Sequence, residues 1–203
     1  ERLPEALMGL SVDVRYRPVL FAARLKAHGQ LGPAEIPAKR DWTYRQVSWL
    51  AHHHGVTLAM PAAHPFNPLP LLRLGLATTT DDAPGETNRY VTEQLLRHVW
   101  HGGLDAADPV RLAALQALLQ DHMAQRGKPW VAPDSEAVKQ RLRANTDEAL
   151  ALGVFGVPSM VLDGRVFWGQ DALPMLRAYM DGDGWFDAQW DAAARTPVGV
   201  QRR

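Results

Sequence analysis

The chain has no cysteine among its 203 residues. That excludes an internal disulfide, a thiolate metal site and a cysteine nucleophile within them, and removes the usual reason to expect secretion. An excess of one charge is also missing. Lys plus Arg is 22 and Asp plus Glu is 22, so the formal net charge is +0, and nothing points to a nucleic-acid or membrane surface. No apolar run approaches the ~20 residues that span a bilayer, and no segment reads as a signal peptide. The expected location is cytoplasmic. What is present is 46% hydrophobic and 22% charged, the balance of a globular chain with one large domain, or a core with one insertion.

The sequence begins with Glu1 and not with Met, and residues 1–8 read as the end of a helix already under way, closed by Gly9. Residues 11–17 then alternate apolar and polar up to Pro18, which is strand grammar. A short helical run from Leu20 to Ala27 stops at Gly29, and Gly32, Pro33 and Pro37 mark a loop through Ala38, Lys39 and Arg40. Trp42, Val47, Trp49 and Leu50 predict a helix from Asp41 to His54, closed by Gly55. A proline-rich connection through His64-Pro65-Phe66-Asn67-Pro68 follows. From Leu69 to about Pro133 the pattern is helical, broken at residues 80–85 and 105–109. Within it, Leu112, Leu115, Leu118 and Leu119 form a packing face. Pro133-Asp134-Ser135-Glu136 opens another helix that ends at Gly153. Strand signals return only at residues 159–162 and 165–168, with Asp163-Gly164 between them as a hairpin turn. A last helix is expected from Gln170 to about Met180. The tail from Gly182 carries no assignment. A sheet split by a helical block predicts an α/β core with a helical insertion, and a strand before Glu1 would pair in parallel with residues 11–17.

The run Phe155-Gly156-Val157-Pro158-Ser159-Met160-Val161-Leu162-Asp163-Gly164-Arg165-Val166-Phe167-Trp168-Gly169-Gln170-Asp171 closely resembles the C-terminal half of the 2-hydroxychromene-2-carboxylate isomerases, relatives of the kappa-class glutathione transferases and of DsbA-type oxidoreductases. Tyr16-Arg17-Pro18-Val19-Leu20, Pro37-Ala38-Lys39 and His64-Pro65-Phe66-Asn67 add to it in the family's order. The resemblance implies a thioredoxin-like domain interrupted by an all-helical domain. Its parts would be residues 1–66 (thioredoxin-like, first strand and active-site turn missing), 67–150 (helical insertion) and 151–203 (thioredoxin-like). It also implies a glutathione site between the two domains, a small aromatic carboxylate as substrate, and a homodimer.

The same resemblance nominates residues. It makes Pro158 a cis proline, and a cis bond exposes the N–H and C=O of Val157 to a peptide-like ligand such as glutathione. From the residues alone an ordinary trans proline stays open. Gln170 and Asp171 open the last helix, where free N–H groups favour an anion. The γ-glutamyl end of glutathione would meet those N–H groups, and the Asp171 carboxylate its ammonium. Plain capping by Asp171 is the alternative. Lys39 suits a glutathione or substrate carboxylate, although a solvated surface is the commonest place for a lysine. Gln30 stands where the family often has Asn. Asn67 is a substrate-side amide or a helix cap. Trp42 would line an aromatic-substrate pocket, as would Trp168, although core packing is the commoner role of such rings.

Metal is not expected. Consecutive helical residues diverge by about 100°, so His52, His53 and His54 do not converge on one ion, and no carboxylate or cysteine pattern completes a site around His98 and His101. The family's thiol-binding serine falls at a position before Glu1, so no catalytic residue is assigned. The expected activity is a glutathione-dependent cis–trans isomerisation, in which thiol addition turns a conjugated double bond into a rotatable single bond. A DsbA-type thiol–disulfide oxidoreductase, a kappa-type glutathione transferase and a non-catalytic binding protein are the alternatives.

Overall fold

The computed structural model describes residues 1–20, 32–197 and 199. In chain order its helices are α1 (Leu3–Ala6), α2 (Pro37–His53), α3 (Leu69–Ala77), α4 (Arg89–Trp100), α5 (Pro109–Gln125), α6 (Glu136–Ala151), α7 (Leu173–Met180), α8 (Trp185–Ala188) and α9 (Trp190–Ala194). Two antiparallel strands, β1 (Ser159–Leu162) and β2 (Arg165–Trp168), form the one sheet among the described residues. The chain divides into two compact units. One holds Glu1–Val12 and the segment from Val154 onward, the other Asp13–Gly153.

The larger unit is helical because its breaks are specified. Asn88, Asp108 and Ser135 each accept the N–H three residues on, from Val91, Arg111 and Val138, so each helix start has a side chain in place of a missing carbonyl. Between these caps, Leu71 and Leu74 of α3 pack with Val91 and Val99 of α4 and Leu115 and Leu119 of α5. A second cluster joins Leu76 to Val138 and Leu142 of α6. Gly75 permits the close α3–α4 approach, since a Cβ there would stand 3.0 Å from Leu95 Cδ1.

The segment before α2 is tied to α6 rather than to a strand. Buried Asn145 donates to the carbonyls of Pro18 (3.0 Å) and Gly85 (2.8 Å). The Leu20 N–H donates to Thr146 Oγ1, and Arg17 pairs with Glu86 and Glu148. Residues 11–15 are exposed and unpaired with any described strand, and only Tyr16 bridges, antiparallel, to Thr87. The expected strand over 11–17 is therefore not formed among the described residues. Alternation marks a chain able to join a sheet, but a strand exists only with a partner.

The smaller unit is organised by its turn. Asp163 and Gly164 have φ of +49° and +75°, the pair of positive values that a two-residue hairpin turn of type I′ requires. It sets the register Ser159↔Trp168 through Leu162↔Arg165. Phe167, 1% exposed, is the centre of the core, with Leu176 of α7 and Phe186 of α8. Trp190 of α9 lies 5.4 Å from the Phe167 ring, and the Arg165 guanidinium sits 4.7 Å over Tyr179 and 5.6 Å from Trp190. Arg177 donates to the carbonyls of Ala6 and Met8, which holds the end of α1. The tail that the sequence left unassigned is thus two short helices closing over Phe167.

Several boundaries differ from expectation. α2 begins at Pro37, four residues before Asp41, because proline at the first helical position loses nothing by lacking an N–H. Lys39 therefore lies in a helix turn and not in a loop. The last helix opens as a 3-10 turn over Gln170–Ala172 and becomes α-helical only from Leu173. Leu118, expected on the α5 packing face, is 42% exposed, while Leu115 and Leu119 are buried. The run from Leu20 to Ala27 and Gln30 fall mainly outside the described residues, which include only Leu20 of them.

Two outcomes follow. Asn145→Ala leaves the Pro18 and Gly85 carbonyls without their donor, so urea unfolding should report a loss of about 1–3 kcal/mol. Burial also lowers the pKa of His64, His98 and His122 below the ordinary imidazole value of 6.5. The unfolded chain then binds these protons more readily. Their contribution to stability is complete above about pH 6.5 and is lost as pH falls toward the depressed folded values. NMR titration of the three imidazoles should give midpoints below that of free imidazole, with a falling urea midpoint over the same range.

Candidate functional site

Within the smaller unit the hairpin brings two sequence-distant pieces together. The Gly169 N–H donates to the Pro158 carbonyl at 2.9 Å, extending the ladder one step beyond Ser159↔Trp168. Pro158 has no N–H to return the bond. The Val157–Pro158 peptide is cis. Val157 is 52% exposed, and its N–H and C=O have no hydrogen-bond partner among the described residues. The preceding loop is held by Ser159 Oγ, which donates to the Gly156 carbonyl at 2.7 Å.

Gly169 has φ +89°, a conformation suited to glycine, and a Cβ there would meet Asp171 Oδ1 at 2.5 Å. The Asp171 carboxylate therefore folds back over the Gly169 backbone. It is exposed and caps nothing. The residue before α7 is Ala172, with no side-chain cap. The N–H groups of Gln170 and Asp171 open the 3-10 turn, where no intrahelical carbonyl precedes them. The capping role left open for Asp171 is not the one the structure uses.

Trp168 is not core. It is 51% exposed, stands 5.0 Å from the 58% exposed ring of Phe155, and lies flat on Gly156, where a Cβ would meet its Cε2 at 2.7 Å. Phe155 was not among the expected site residues. Its signal was its place two residues before Val157, an apolar side chain at a loop where the chain has no core to enter.

The other expected residues belong to the larger unit. Lys39 is exposed in the first turn of α2 and has no ion-pair partner among the described residues. Trp42 is 64% exposed, so core packing is excluded for it as well. Asn67 Oδ1 accepts the Leu69 N–H at 3.1 Å, closing the turn into α3. Its amide nitrogen is left for other contacts. A pair that sequence reasoning missed lies nearby. The Tyr44 hydroxyl stands 2.8 Å from His64 Nδ1 and 3.1 Å from the His64 carbonyl, fastening α2 to the proline-rich connection. The His64–Pro65 peptide is also cis.

The described residues contain no group of three or more His, Asp or Glu able to hold a metal ion, and no helix long and apolar enough to cross a membrane.

A family model described as a DSBA-like thioredoxin domain matches residues 1–181. The chain is 27% identical over 183 residues to a 2-hydroxychromene-2-carboxylate isomerase of Pseudomonas putida, covering 89% of this chain and 85% of that protein. It is 25% identical over 185 residues to glutathione S-transferase kappa 1 of Rattus norvegicus, covering 86% and 80%. A solved structure of a 2-hydroxychromene-2-carboxylate isomerase superposes with a TM-score of 0.63 at 20% identity, over 96% of this chain and 89% of that one. That likeness shows the DsbA-like thioredoxin fold.

The contact between Gly156 and Trp168 makes a direct test. Gly156→Ala forces the indole from its seat, so near-UV circular dichroism should lose tryptophan signal and stability should drop by about 1–3 kcal/mol.

Proposed function

The chain belongs to the DSBA-like thioredoxin-domain family, and we propose that within it the chain is a glutathione-dependent cis–trans isomerase of an aromatic-derived carboxylate, of the 2-hydroxychromene-2-carboxylate type. One observation carries this reading. Val157, half-exposed and with no backbone hydrogen-bond partner among the described residues, lies beside the Gly169–Asp171 turn, because Pro158 and Gly169 are bonded neighbours.

The residues present suit a γ-glutamyl peptide. Val157 offers an N–H and a C=O to a ligand in extended conformation, as the edge of a sheet does. Gln170 and Asp171 offer N–H groups to a carboxylate, and the Asp171 side chain an anion to an ammonium. Gly169 leaves no Cβ between these groups and the hairpin. When bound, glutathione supplies a thiol that adds reversibly to a conjugated double bond. The protein's task is to hold the tripeptide and orient the substrate. Lys39 is the proposed cation for a ligand carboxylate, Gln30 a further amide for glutathione, and Trp42 and Asn67 the proposed substrate contacts. A homodimer in the cytoplasm belongs to the same reading.

A kappa-type glutathione transferase is the second reading, supported by the likeness to the rat kappa enzyme. The two share the glutathione site and differ in substrate. A DsbA-type disulfide exchange would take its cysteine pair at the position that falls before Glu1.

Calorimetric titration with glutathione should show one site per chain, and Asp171→Ala should weaken it about tenfold. Turnover of 2-hydroxychromene-2-carboxylate should require added glutathione. Equal rates without it contradict the isomerase reading, and absence of binding contradicts both readings.

A further inference from the structure

Phe155 and Trp168 form an aromatic corner that burial in the core does not explain. Both residues are more than half exposed, at 58% and 51%. They lie 5.0 Å apart with their planes at 59°. In that geometry a third planar ring stacked on one of them meets the other edge to face, both favourable arrangements. The corner is also held in place. Gly156 lets the indole rest on the loop backbone, and Ser159 Oγ fixes that backbone through the Gly156 carbonyl. Exposing two large rings costs hydrophobic free energy in proportion to their apolar area, and a planar apolar group seated there would recover part of it.

Chain geometry says what would be seated. Phe155 is two residues before Val157, and Trp168 is two before Gln170. The corner thus borders the peptide edge at the Pro158–Gly169 bond. A group carried on the sulfur of a peptide lying along Val157 would be seated there. We infer that Phe155 and Trp168 are a specificity-determining platform for the aryl ring of the substrate. This rests on the proposed glutathione site and adds the residues that select an arene over an aliphatic group.

Calorimetry with three probes tests it: glutathione, S-methylglutathione and S-benzylglutathione. The wild-type protein should bind the benzyl derivative on the order of tenfold more tightly than the methyl one. Phe155→Leu and Trp168→Leu, assayed separately, should each bring that ratio toward unity and leave glutathione affinity and the urea midpoint near wild type. A wild-type ratio near unity, or a ratio kept in both variants, overturns the platform. If the wild type binds none of the three, the glutathione reading fails, and trans-2-hydroxycinnamate then tests the platform alone. Binding by the wild type that both variants lose supports it. No binding, or equal binding in all three proteins, overturns it.

Discussion

The hydrogen bond from the Gly169 N–H to the Pro158 carbonyl closes the open end of the hairpin and decides which residues become neighbours. The register behind it is set at the other end, by the positive φ values of Asp163 and Gly164. A slip of one residue would turn Phe167 out of the core and send Trp168 inward, because side chains alternate along a strand. With the register held, Phe167 is buried, Trp168 faces outward against Gly156, and Val157 lies beside the turn at Gln170 and Asp171. The core, the aromatic corner and the peptide edge are consequences of one pairing.

The tail reinforces that pairing from the opposite face. Phe186 and Trp190 close over Phe167, and Arg165 is sandwiched against Tyr179 and Trp190. Tyr179 donates to Asp163 at 2.7 Å, which ties α7 to the turn residue that sets the register. In the larger unit, capped helices pack through leucine and valine faces, and Asn145 secures the segment that precedes α2. Each unit has its own core and its own fastening residues.

Much of this could be read from the residues. The Asp163-Gly164 turn, the opening at Ser135 and the breaks near residues 80–85 and 105–109 are local features. Turn chemistry and capping are decided within a few residues. Val157, Pro158, Gln170 and Asp171 were nominated by the resemblance, and the two-residue turn makes them neighbours. What depends on distant partners was not. Residues 11–17 alternate like a strand, but among the described residues only Tyr16 forms a bridge, to Thr87, and Pro37, which reads as a loop marker, starts α2 early. Trp42 and Trp168 look like core residues by type, yet whether a large ring is buried is settled by the surface opposite it. The exposed contact of Phe155 with Trp168 depends on an absent side chain at Gly156, which no periodicity reports. Gln30, nominated by resemblance, lies outside the described residues.

The central claim is that the hairpin register presents a peptide-binding edge at Val157 beside Gln170 and Asp171. Backbone amide NMR during titration with glutathione tests it most directly. Saturable shifts should concentrate at Val157, Ser159, Gln170 and Asp171, with the centre of the helical unit unmoved. Saturable shifts confined to other residues, or no shifts at all, would contradict it.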